Sequence, residues 1–266
     1  MNIALSTLVL FFFLIPGIVF RRFYYSEEFS REYFRETFFA VFIATILPSL
    51  FFQILWFYLV KLFGENVDLF VFGDIVSAKP SRASFINIEQ NAVKILIYNA
   101  TMFITAGFTG FLTKQIVRNQ KWDRTRKFFR FQNSWHYILK GEFFDFPRAD
   151  ITLERDTVED IEFVFVDAVI EINNASYIYD GILVDYELSQ DGGLDTISLT
   201  NAQRRNLKDD AEVSDEGKTK ENLSNYYPID GHILVLKYSE IKNLNFTYYT
   251  LEFVLENEEF IPRIVE

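Results

Sequence analysis

Residues 38–60, FFAVFIATILPSLFFQILWFYLV, run for 23 positions without a charge. A helix needs roughly 20 apolar residues to cross a hydrocarbon core, so this stretch suits a membrane better than water. Residues 3–20 and 95–112 add two runs of 18 uncharged positions each. The first would be a cleaved signal peptide if a cationic segment preceded it and a small-residue site closed it. Arg21 and Arg22 follow it instead, so it is read as a retained helix. The third would suit a buried soluble helix if it stood alone, and beside two neighbours it is read as a span. The expectation for residues 1–112 is a membrane α-helical bundle of three transmembrane helices, at 3–20, 38–60 and 95–112.

Charge divides the chain. Residues 1–130 carry 15 Lys and Arg against 9 Asp and Glu, a net +6. Residues 131–266 carry 11 against 28, a net −17. Basic residues in short loops favour the cytoplasmic side. Arg21, Arg22, Arg31 and Arg35 follow the first span; Lys114, Arg118, Lys121, Arg124, Arg126, Lys127 and Arg130 follow the third. Three spans put both segments on one side. The expected location is a bacterial cytoplasmic (inner) membrane, N-terminus outside, with the acidic half in the cytoplasm. The chain has no Cys, which excludes disulfides, thiolate nucleophiles and Cys-ligated metals.

Inside the spans, Pro16-Gly17 and Pro48 are expected to bend their helices. Gln53 and Asn99 should face protein or water, because lipid offers them no partner. Thr101, Thr105 and Thr109 recur every fourth residue and share a helix face, with Ala106 and Gly110 as a small-xxx-small pair beside them. That face either packs within the bundle or forms an oligomer contact or pore lining. Three helices followed by a cytosolic β domain, the last helix rich in Gly and Ala, resemble the small mechanosensitive channels in architecture. The long, regular Gly/Ala pattern of that family's pore helix is not present.

The connector, residues 113–142, mixes its cations with Trp122, Phe128, Phe129, Phe131 and Trp135. Nucleic acid and the lipid headgroup layer both suit such a mixture. Next to a span, and before an acidic half that repels phosphate backbones, the lipid bilayer is the expected partner and no nucleic acid is expected. Arg21, Arg22, Lys114, Arg118, Lys121, Trp122, Arg124, Arg126, Lys127 and Arg130 are the expected interface residues.

From residue 143 the pattern changes to short alternation. Residues 161–172 are a β-type run. Ile182, Val184, Tyr186 and Leu188 fall on one strand face, with Asp185 and Glu187 on the other. Gln190, Asp191, Gly192 and Gly193 make a turn, and residues 195–199, 231–238 and 244–256 supply further strands. Residues 201–225 are polar throughout and read as a mobile insertion that starts with a solvated Arg204-Arg205 pair. Five or so short strands suggest a mainly-β domain over residues 143–266, a small barrel of the SH3 or Sm-like kind. The run from Gly181 to Tyr186 resembles the Gly-x-Leu strand of Sm-like barrels, where glycine permits a sharp bend. The following aromatic and aspartate are inverted in order and the RNA loop is not evident, so RNA binding does not transfer. The whole chain resembles uncharacterised bacterial membrane proteins with a short transmembrane bundle and a small cytosolic SH3/Sm-like β domain, a resemblance that implies no chemistry.

His136 and His232 lie in no metal-spacing motif and are read as surface or strand residues. Asp180, Asp185, Asp191 and Asp195 do not make a calcium loop: the sixth position is Gln190 or Thr196 where glycine is required. They are expected mostly to face water. No catalytic residue, metal or cofactor is expected. The functional expectation is a non-enzymatic integral membrane protein whose β domain binds a protein partner, self-associates or senses a signal, as in bacterial stress or phage defence. The alternative is an oligomeric ion channel or membrane-permeabilising protein with the third span lining the pore.

Overall fold

A computed structural model describes residues 2–65, 67–77, 81–151, 153–209, 226–254 and 259–266. The chain forms two compact units. One is Met1–Asp123 with Phe128–Gln132, and the other is Arg124–Lys127 with Asn133–Glu266.

The first unit is helical: α1 (Asn2–Tyr24), a 3₁₀ turn (Glu27–Phe29), α2 (Ser30–Arg35), α3 (Phe38–Leu62), α4 (Leu69–Val76), α5 (Arg82–Gln90) and α6 (Ala92–Asn119). Thr37 caps α3 by accepting from the Ala40 N–H at 3.3 Å. Both α3 and α6 are long and apolar enough to cross a membrane, with mean hydropathies of 2.2 and 1.5. Only 17% and 22% of their spanning windows are buried by protein, so most of their apolar surface is left for lipid. At the first expected span, the part Val9–Tyr24 of α1 counts as a third crossing when joined with Glu27–Tyr33, from which it is bent by 113°. The two or three apolar helices point to membrane association.

Helix α1 packs on both α3 and α6, which scarcely meet each other. Pro16 interrupts the bonding of α1. The Gly17 N–H donates to Ser49 Oγ of α3 at 3.0 Å, and that hydroxyl donates to the Leu14 carbonyl at 2.9 Å. One side chain of α3 thus serves a donor and an acceptor on either side of the proline, which is how a proline is tolerated where no water reaches. Phe52, Met102 and Ala106 form the buried centre, against Val19 and Phe20.

The second unit is an antiparallel sheet. Its strands are β1 (Phe163–Ile172), β2 (Ala175–Leu188), β3 (Leu194–Asn206), β4 (Tyr227–Pro228), β5 (Leu234–Lys237), β6 (Ile241–Val254) and β7 (Glu259–Ile264). Their order is β4-β3-β2-β1-β6-β7, with β5 also on β3. The sheet curls into an open half-barrel. Val164, Val166, Ala168, Ile197, Leu199 and Tyr248 fill its inner face, joined by Leu139 from the short helix α8 (Ser134–Leu139). A further short helix, α7 (Trp122–Thr125), follows α6.

Two bulges explain where the alternation of the sequence misleads. In β2 the register steps between Leu183 and Asp185, so Val184 is an extra residue. Leu183 therefore packs against the core together with Tyr186 and Leu188, while Val184, expected inward, is exposed. Between Asp180 and Ile182 the extra residue is in β3, where Asn201 has φ 50°. Gly181 faces this bulge, and a Cβ there would sit 2.9 Å from the Thr200 carbonyl. Residues 201–206, expected as the start of a polar insertion, continue β3 instead. They lack an apolar stripe because their buried positions are Ala202 and Arg205. The expected insertion from 210 to 225 lies outside the described residues.

Candidate functional site

The expected polar face of the third span lies on α6, and its groups are satisfied at home. Thr101 Oγ1 donates to the carbonyls of Ile97 (2.8 Å) or Tyr98 (3.0 Å) and accepts from Trp56 Nε1 at 3.1 Å. Thr109 Oγ1 donates to the Thr105 carbonyl at 2.8 Å, and the Asn99 amide to the Ile95 carbonyl at 2.7 Å. Gln53 of α3 makes long contacts of 3.5 Å to the Phe13 carbonyl and the Tyr98 hydroxyl. Ala106 and Gly110 are buried, and a Cβ at Gly110 would land on the Phe20 carbonyl of α1. The small-residue surface is therefore occupied by α1 of the same chain.

The expected interface cations divide into two sets. Lys114, 2% exposed, is held by Glu27 at 2.5 Å and the Ser26 carbonyl at 3.2 Å, with its ammonium over the Phe29 ring. Arg21 pairs with Glu36 at 2.6 Å and Arg118 with Asp123 at 2.7 Å. Arg124 pairs with Glu142 and Asp145, each at 2.8 Å. These four are paired with carboxylates of the same chain. Their partners lie up to 87 residues away, beyond the reach of a linear reading. Arg22, Arg126 and Lys127 are exposed; Lys121, Trp122 and Arg130 are partly covered. The connector itself is not one element, since 113–119 are the last turns of α6.

The feature the sequence reading missed is the outward face of β1, β6 and β7. Val164, Val166 and Tyr248 point inward, so Phe163, Phe165 and Tyr249 point outward. Phe163 stacks on Tyr249 with centroids 5.1 Å apart and planes 8° from parallel. Leu251 and Phe253 continue that row on β6, where Phe253 faces Phe260 of β7 with ring centroids 5.1 Å apart. Leu251, Phe253, Phe260 and Ile264 are all exposed. Among the described residues β7 pairs only with β6 and ends the sheet. It is fixed at its root by Arg263, which donates to Asp156 at 2.6 Å and lies 3.0 Å from Glu252. That hydrogen bond and the Glu266 N–H hold the Asp156 carboxyl below the usual range. Among the described residues no further strand pairs with β7, and only the Glu266 carbonyl just past it accepts from the Arg155 and Asp156 N–H groups; a strand edge beside an aromatic surface is the arrangement that accepts an added strand.

Two buried polar clusters also escaped the sequence. Asp180, expected to face water, is buried opposite Asp167 on β1, beneath Tyr226, whose ring covers the Arg205 guanidinium at 5.1 Å. Burial, and then the Asp167 charge, push its carboxyl up to about 6. Arg205, expected as solvated, is buried with it. His136, expected at the surface, is buried on α8; its Nδ1 lies 3.1 Å from the Tyr186 hydroxyl and its Nε2 3.9 Å from Glu142. Open grooves of about 530 and 610 Å³ lie elsewhere on the unit's described residues, and none of these clustered side chains lines either. Among the described residues no three His, Asp or Glu side chains gather as metal ligands. No family model, curated protein or solved structure matches the chain.

Proposed function

We propose that the chain is a non-enzymatic, membrane-anchored interaction protein whose β unit docks a basic, extended segment of a partner protein along β7. One observation carries this reading: among the described residues β7 is paired on one side only, with an exposed aromatic and aliphatic face beside it. Edge strands recruit extended chains through main-chain hydrogen bonds, with side-chain contacts giving the choice of partner. Pro262 withholds one donor from that row. The net charge of −17 over residues 131–266 favours a basic partner over a second copy, which would bring the same charge. Kinship with SH3 or Sm-like small barrels belongs to this reading, on the curl of the sheet and the close approach of Gly181 to the Thr200 carbonyl. So does a cytoplasmic placement of the acidic unit in a bacterial inner membrane, on the distribution of Lys and Arg, and a role in stress or phage defence.

The pore alternative needs a face of α6 turned away from its own chain. Packing of α1 over Ala106 and Gly110 favours the anchor, as do the bonds of Thr101 and Thr109 to carbonyls of their own helix. The full chain in lipid nanodiscs tests both. Lys-rich strand-forming peptides should bind with strong salt dependence and lose at least about tenfold in affinity on Phe260→Asp. Equal binding by acidic peptides would overturn the reading, and so would ion flux through liposomes that Thr105→Leu abolishes.

A further inference from the structure

The loop between the two clearest spans contains two helices of its own, and α4 is not built for water. In Leu69–Val76 the only charge is Asp74. Leu69, Phe70, Phe72 and Val76 are all exposed, Phe70 by 89%. Asp74 is taken up internally: its Oδ2 accepts from the Ser81 N–H (2.8 Å), the Ser81 hydroxyl (2.7 Å) and the Ser84 hydroxyl (2.6 Å). These bonds tie the C-terminal half of α4 to the start of α5, with the acid hydrogen-bonded between them.

Depth follows from the packing of α4. Phe72 meets Phe13 of α1 with ring centroids 5.9 Å apart. The Phe13 carbonyl is the group contacted by Gln53, and the neighbouring Leu14 carbonyl is bonded by Ser49. Ser49 and Gln53 bracket the middle of α3, Phe38–Leu62. Phe72 therefore lies level with the middle of a spanning helix, about 15 Å of helical rise below its end at Leu62. Glu65 and Lys94 pair at 2.7 Å near the end of α3 and the start of α6, where charge belongs at a headgroup layer.

We propose that α4 is a re-entrant helix, inserted from that end into the hydrocarbon layer, with acyl chains covering Leu69, Phe70 and Val76. Lipid is the occupant because α4 packs on α1 at the depth where α3 exposes Phe51 and Ile54 and α6 exposes Ile104, and a short segment joins it to α3. Helical backbone satisfies itself at that depth, and Asp74 supplies acceptors for the return turn at Ser81. The inference rests on α3 and α6 crossing the bilayer.

The absence of Cys makes the test direct, since each introduced thiol is unique. Spin labels at Phe70→Cys and Val76→Cys, in the full chain reconstituted in liposomes, are compared with labels at Phe51→Cys on α3 and Glu65→Cys. The expected result is access to oxygen with loss of access to an aqueous nickel chelate, as at Phe51→Cys. Chelate access equal to that at Glu65→Cys overturns the proposal, and so does exclusion of both reagents, which would mean cover by protein. Chelate access at Phe51→Cys would instead overturn the spanning of α3. Secondary structure matching the parent chain establishes that each variant is folded.

Discussion

Asp180 shows how much one burial changes a side chain. Its carboxyl moves from 3.8 to about 6, chiefly through burial and then through Asp167. The folded chain therefore keeps a proton on Asp180 at pH values where the unfolded chain has lost it. Stability falls as pH rises between about 4 and 6 and levels off above. Asn in this position resembles the protonated acid. Asp180→Asn should raise stability at pH 7 by on the order of 2 kcal/mol and make no difference near pH 4. Thermal unfolding of the full chain in detergent at the two pH values checks this; equal shifts at both would contradict it. Glycines offer a second contrast. Gly110→Ala places a methyl group on the Phe20 carbonyl and should cost about 1–3 kcal/mol. Gly73→Ala meets nothing within 4 Å and should be neutral or gain up to about 1 kcal/mol in helix stability. A detergent melt with the order reversed would refute the packing of α6 on α1. Sequence alone marked Gly110 as a close-approach residue, within the bundle or at an oligomer or pore face, because small residues at that spacing let backbones meet. It left Asp180 at the surface because nothing in one dimension reveals that Tyr226 lies over it.

Elements were legible where the period was unbroken. The long helices α3 and α6 announce themselves through uncharged runs, and the strands β1 and β6 through short runs rich in β-branched and aromatic residues. The hairpin of β2 and β3 was legible too: its turn closes with Ser189 N–H donating to the Gly193 carbonyl at 2.8 Å. The second half of β3 was not, because a bulge changes its phase and its buried positions hold Ala202 and Arg205. The strand β7 has six residues with apolar side chains on both faces, a pattern no periodicity flags. Its role is testable through the ring pair Phe253–Phe260. A double-mutant cycle to Ala should give a coupling of about 0.5–1.5 kcal/mol in unfolding. Zero coupling would mean that β7 is not seated on β6 in this register.

At the scale of the whole chain, a basic and apolar half is joined to an acidic one, and each does what its composition permits. The exposed apolar surface of α3 and α6 predicts that the protein stays with the membrane pellet after alkaline carbonate extraction. Release into the supernatant would contradict membrane embedding. The proposed role of the exposed aromatic face of the β unit is to hold a partner. That claim is tested most directly by photo-crosslinking in native membranes. A benzophenone side chain replaces Phe260, with the same group at exposed Val235 as control. The account predicts an adduct between position 260 and a Lys- or Arg-rich segment of a different polypeptide, lost on Leu251→Asp and absent at position 235. An adduct to a second copy of this chain, or none at position 260, would contradict it.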